Sequence, residues 1–143
     1  MRKDLVVEES VDVNASVEKV WDALTNPAII KDYLYGTDTI TDWKPGSKIT
    51  FQGEYEGKQY KDGGEILEFV PEKKLVYTYW SGFSGLENTP ENHSIITYTV
   101  DKISDNKTRF TWTQKGFAGE EQYNHMKSGV KGFLQGVKKV MER

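Results

Sequence analysis

Apolar residues recur along this chain first at every second position, then at every third or fourth, then at every second again, and finally at every third or fourth. Leu5, Val7, Val11 and Val13 share one face of an extended opening segment, with Glu9 the one polar member of that face. Asn14-Ala15-Ser16 changes the period: Ser16 is a candidate N-cap, and Val17, Val20, Trp21 and Leu24 follow at one-turn spacing. That helix stops at Thr25-Asn26-Pro27, where Asn26 can cap a second short helix with Pro27 in its first position. Ile29, Ile30, Tyr33 and Leu34 give its buried side, and Gly36 ends it. Strand-like alternation then predicts extended segments over 39–43, a third strand carrying Ile49, Phe51 and Tyr55, and further strands over 59–70, 75–80, 94–103 and 108–114. Glu56-Gly57-Lys58 marks a tight hairpin, Gly63-Gly64 a bulge or bend, and residues 81–92 a loop with two glycines and a proline. From residue 120 the spacing becomes helical: Tyr123, Met126, Val130, Phe133, Val137 and Val140 form one stripe, with Lys127, Lys131, Lys138 and Glu142 opposite.

One strand, two small helices, six strands and a long helix predict an α+β fold with a seven-stranded antiparallel sheet and the helices on one side. A sheet of that size has to curl, and the long helix of residues 120–143 would lie across the curl. Gly129, Gly132 and Gly136 form a second stripe on that helix. Each costs roughly 1 kcal/mol against alanine, so the stripe implies either a close approach on that flank or space left open between helix and sheet. A chain of 143 residues is long enough for one domain with its own core. It has no cysteine, which removes disulfides, thiolate chemistry and cysteine-ligated metals. Its 19 basic and 22 acidic residues leave a net charge of −3, a poor balance for nucleic acid or an anionic membrane. The N-terminal residues show no apolar run of the signal-peptide kind, and no stretch is long enough for a membrane span, so a cytoplasmic location is expected.

Several stretches resemble one branch of the START-like (SRPBCC) helix-grip superfamily. Val11-Asp12-Val13-Asn14-Ala15-Ser16-Val17 through Trp21 to Asn26-Pro27 is similar to its opening strand and helix. Pro45-Gly46-Ser47-Lys48-Ile49-Thr50-Phe51 resembles its turn and third strand. Glu65-Ile66-Leu67-Glu68-Phe69-Val70-Pro71 with Leu75-Val76-Tyr77-Thr78-Tyr79-Trp80 resembles its central pair. The branch is named for homology to the C-terminal domain of the activator of heat-shock protein 90 ATPase. The resemblance covers almost the whole chain and implies a curved seven-stranded antiparallel sheet wrapped around a long C-terminal helix, with two short helices after the first strand. It further implies an apolar cavity for a small hydrophobic molecule, in a monomer or homodimer, with enzymes in a minority of branches. The final helix of the branch usually carries Gly-Trp where this chain has Gly132-Phe133, a change that would reshape the cavity. The eukaryotic co-chaperone has an additional N-terminal domain that makes much of its chaperone contact. Nothing precedes Met1 in this sequence, so chaperone activation is not carried over.

Aromatic residues are 13% of the chain, and Phe51, Tyr55, Tyr77, Tyr79, Tyr98, Phe110 and Trp112 fall on registers that can face the helix. With Met126, Val130 and Phe133 they are the candidate ligand-binding set; for most of the aromatics ordinary core packing is the expected role, with about a third of them reaching an open cavity. Glu9 is the sharpest polar signal, since a carboxylate between Val7 and Val11 would enter the cavity and have its pKa raised. The plainer expectation is a twisted strand that leaves Glu9 solvated or paired with a lysine. His93 and His125 are lone candidates for a general base. No Ser-His-Asp arrangement, metal-type spacing or phosphate loop accompanies them, so no cofactor or metal is expected. The leading reading is therefore a ligand-binding domain. A cofactor-free enzyme of the cyclase or dehydratase kind, using Glu9 or a histidine, is the first alternative. A co-chaperone or other protein-interaction module, contacting its partner through Phe83 and Leu86 on an exposed loop, is the second. The 81–92 loop is the natural lid.

Overall fold

The computed structural model describes residues 1–143. The chain runs β1 (Arg2–Val13), α1 (Val17–Thr25), α2 (Pro27–Tyr33), β2 (Asp38–Thr41), β3 (Lys48–Tyr55), β4 (Lys58–Val70), β5 (Lys74–Tyr79), β6 (Ser94–Ser104), β7 (Lys107–Phe117) and α3 (Glu120–Met141). One antiparallel sheet holds all seven strands in the order β1-β7-β6-β5-β4-β3-β2, so β1 joins the open end of an otherwise sequential meander. The local signals act as the sequence implies. The Ser16 hydroxyl accepts from the Lys19 amide at the start of α1, and Asn26 caps α2 ahead of Pro27.

The sheet curls where β4 carries Gly63-Gly64. Gly63 has φ 150°, a conformation that only glycine adopts freely. A Cβ there would lie 2.0 Å from the Ile49 carbonyl oxygen, and one on Gly64 would lie 2.1 Å from that of Thr78. The missing side chains let the backbones of β3 and β5 close in on β4 from both sides. Beyond this point β4 changes hands: Lys58 to Glu65 pair with β3, and Ile66 to Val70 pair with β5.

The concave face takes the helices. Along α3 the buried residues are Val130, Leu134, Val137 and Met141, all in the C-terminal part. That end is pinned: Arg143 Nη2 donates to Asp32 Oδ2, the Asn14 amide donates to Glu142 Oε2 at 2.7 Å, and Lys19 Nζ donates to the Arg143 carbonyl. Trp21, Leu24, Ile30, Ile49, Leu75, Val100 and Phe110 fill the core beneath it. The first turns of α3 bury no residue completely. There the helix spans open space, and the candidate site lies beneath it.

Candidate functional site

Between the N-terminal half of α3 and the sheet lies a cavity of about 620 Å³, mostly apolar and open at one end. This is within the range that holds a small organic molecule. Phe51, Tyr77, Tyr79, Ile96, Tyr98, Trp112 and Gln114 of β3 and β5–β7 form its floor. His125, Met126, Gly129 and Phe133 of α3 form its roof, and Leu34, Tyr35 and Thr37 close the side next to α2. Glu54, Tyr55, Tyr60, Asp62 and Phe83 complete the rim. Four of the cavity's aromatic pairs meet edge-on, Phe51 with Tyr79 at 5.8 Å, Tyr77 with Tyr98 at 5.6 Å, Trp112 with Phe133 at 6.4 Å and Tyr55 with Phe83 at 6.2 Å, while Phe51 with Tyr77 and Tyr60 with Phe83 are tilted at 43° and 57°. Edge-on pairs turn ring faces in several directions and leave a hollow that the rings do not fill.

The polar groups of the cavity are few. The Tyr77 and Tyr98 hydroxyls lie 2.8 Å apart. Burial pushes both phenols above their ordinary pKa of 10.0. Gln114 Nε2 donates to Ser94 Oγ at 3.2 Å and to the Gly116 carbonyl at 3.1 Å. Asp62, only 7% exposed, is occupied by protein donors. Its Oδ1 accepts from the Gly82 amide at 3.0 Å, and its Oδ2 accepts from Ser81 Oγ and the Tyr79 hydroxyl, each at 3.2 Å. Burial, followed by the adjacent Asp62 charge, raises the Tyr79 phenol as well. The Asp62 carboxylate therefore ties the start of the 81–92 loop to the sheet.

Of the residues expected at the site, Phe51, Tyr55, Tyr77, Tyr79, Tyr98, Trp112, Met126 and Phe133 lie on the cavity wall. Phe110 and Val130 do not; they are 1% and 3% exposed and belong to the filled core. Phe110 packs edge-on behind Tyr98 at 5.5 Å, one layer away from the opening. Glu9 does not enter the cavity either. It is half-buried on the same face as Val7 and Val11, but β1 is the edge strand and contributes nothing to the lining. One of its carboxylate oxygens accepts from the Ser10 amide at 3.3 Å.

His93 also stands off the cavity. Its Nε2 lies 2.8 Å from Asn88 Oδ1, so this nitrogen carries the proton, and its Nδ1 lies 3.2 Å from the Thr78 hydroxyl. Burial lowers its pKa below the ordinary 6.5, in keeping with a neutral ring that fastens the far end of the loop. His125 is exposed at the mouth. Leu86 is half-buried rather than exposed, its carbonyl accepting from Trp80 Nε1 at 3.0 Å, whereas Phe83 is 57% exposed. Alternation alone does not point to Asp62, Tyr60, Ile96, Gln114 or the Leu34, Tyr35 and Thr37 segment that follows α2. For Asp62 the available signal was the one that drew attention to Glu9, an acidic residue on the inward register of a strand.

The sequence profile of the family described as "Activator of Hsp90 ATPase homolog 1-like protein" matches residues 14–142. The chain belongs to this family. Its fold is the START-like helix grip, related to that of Aha1. Among solved structures, a protein from Cytophaga hutchinsonii is 37% identical with a TM-score of 0.82, over 99% of this chain and 97% of that one. A protein from Mesorhizobium loti superposes with a TM-score of 0.76 at 22% identity, over 96% and 97% of the two chains. The Aha1 dimer from Colwellia psychrerythraea gives 0.72 at 19% identity, over 96% of each. No curated protein matches the chain. No helix is long and apolar enough to cross a membrane.

Proposed function

We propose that this member of the Hsp90-ATPase-activator-like family binds a single small, largely apolar molecule in the cavity beneath α3. The observation that carries the reading is the contrast within one core. Leu134, Val137 and Met141 are each 1% exposed, yet one helical span earlier α3 roofs about 620 Å³ of aromatic-lined space. A hollow of that size forfeits the packing that the same residue types achieve nearby, and an apolar occupant restores it. Phe83, exposed on the loop that Asp62 tethers, supplies an apolar surface at the entrance rather than a separate partner site.

Titration with the environment-sensitive dye phenylnaphthylamine tests this. Saturable binding of one dye per chain is expected, displaced by apolar competitors. Gly129 lies on the roof, and a Cβ there meets nothing within 4 Å, so Gly129→Leu places a side chain over the cavity without disturbing the helix. The variant should bind dye at least about tenfold more weakly, a loss of about 1.4 kcal/mol, with its thermal midpoint retained or raised. Dye binding absent from the wild type, or unchanged in Gly129→Leu, would refute the cavity as a binding site.

A further inference from the structure

The Tyr77–Tyr98 pair on the cavity floor has one hydrogen too many. Two phenolic hydroxyls bring two O–H donors, and the 2.8 Å contact between them uses one. Neither oxygen has another hydrogen-bond partner in the protein, so whichever phenol donates across the pair, the other keeps an O–H without an acceptor. Tyr77 is only 5% exposed, and both side chains line the cavity. An unmatched buried donor costs about 1–3 kcal/mol, and both phenols border the space a ligand would occupy. The charge around it restricts the acceptor. No lysine or arginine lines the cavity, and its one basic side chain, His125, sits exposed at the mouth, while Glu54 and Asp62 also line it, so a carboxylate or phosphate would meet like charge with no permanent cation to receive it.

Resting on the ligand-binding reading above, we infer that the molecule held here carries a neutral hydrogen-bond acceptor, a ketone, aldehyde or quinone carbonyl on an apolar frame, and that the Tyr77–Tyr98 pair receives that oxygen. The remaining O–H donates to the carbonyl while the first stays between the two phenols, so the pair and the ligand form one chain of hydrogen bonds. Burial holds both phenols protonated through the neutral range, which keeps the donor available. The faces of Phe51, Trp112 and Phe133 then take the apolar frame.

Fluorenone and fluorene share a ring frame and differ in the carbonyl, which makes them the probe pair, with fluorenecarboxylate as the anionic comparison. In the Tyr77→Phe/Tyr98→Phe double variant, fluorenone should lose about five- to tenfold in affinity, the worth of one neutral hydrogen bond. Fluorene should change by no more than about twofold, because both rings remain to pack against it. Fluorenecarboxylate should bind the wild type more weakly than either. An infrared measurement on the wild type needs no variant: the carbonyl stretch of bound fluorenone should lie at lower wavenumber than in hexane. If that stretch keeps its hexane position, or the double variant weakens both probes alike, or the carboxylate binds best, the carbonyl assignment is wrong. Wild-type dye binding separates the two levels of failure: with it intact the cavity reading survives, and without it both readings fall together.

Discussion

Asp62 and Glu9 show what a single residue's position in the sequence does and does not reveal. Both are acidic residues on the inward register of a strand, and alternation treats them identically. They part because β1 is an edge strand, whereas β4 bends at Gly63-Gly64 directly after Asp62 and brings that carboxylate under the loop. Sheet order and curl are set by non-local pairing, so neither is visible in a seven-residue window. The same applies to His93, whose partner Thr78 is fifteen positions away on β5. The aromatic wall was legible because strand register is a local property. Phe110 and Val130 were misplaced because register says which face a side chain takes, not whether that part of the face is filled. Since Asp62 holds Ser81, Gly82 and Tyr79, Asp62→Ala should lower stability by about 1–3 kcal/mol. Amide exchange should accelerate most at Gly82, Phe83 and the rest of the loop. Uniform acceleration across the sheet would show that Asp62 supports the fold at large and does not tether the loop in particular.

At the scale of elements, the short signals held and the boundaries moved wherever pairing decides them. Caps and prolines placed α1 and α2 correctly, since a cap acts on its own first turn. β1 and β7 each run about three residues further than alternation suggests, because Arg2 pairs with Phe117 across the sheet. β2 stops at Thr41 instead of Trp43, where the backbone turns to φ 58°. The glycines of α3 needed the structure most. Close approach, one of the two explanations the sequence offered, is absent: a Cβ on Gly129, Gly132 or Gly136 meets nothing within 4 Å. Open space explains Gly129, which lines the cavity, while Gly132 and Gly136 simply face outward. Gly132→Ala and Gly136→Ala should therefore each stabilise by about 1 kcal/mol, raising the thermal midpoint by about 3 °C. Gly63→Ala should do the reverse, costing about 2–3 kcal/mol through its φ of 150° and the nearby Ile49 carbonyl. Scanning calorimetry on the three variants separates helix glycines that are idle from a strand glycine that shapes the sheet. A destabilising Gly136→Ala would mean that its flank is covered in solution.

For the whole molecule, the consequence of building a core from tyrosines is sensitivity to alkali. Tyr33 and Tyr77 are 9% and 5% exposed, and burial raises both phenols well above the ordinary 10.0. An unfolded chain releases those two protons near pH 10, while the folded chain keeps them. Their contribution to stability is thus fully present below pH 10 and is lost as the pH climbs from there towards the folded values. Over that window each phenol removes about 1.4 kcal/mol of stability per pH unit. Tyr33 isolates the effect, since it belongs to the filled core and donates only to the Ala23 carbonyl, at 2.8 Å. Tyr33→Phe loses that bond and should be less stable than the wild type by about 1 kcal/mol at neutral pH. Above pH 10 its stability should fall more gently, by about 1.4 kcal/mol less per pH unit, so the two curves converge and then cross. Urea unfolding at steps between about pH 8 and pH 11 measures both slopes. Parallel curves would mean that the Tyr33 proton leaves the folded protein as readily as the unfolded one, and that this part of the core is open to water.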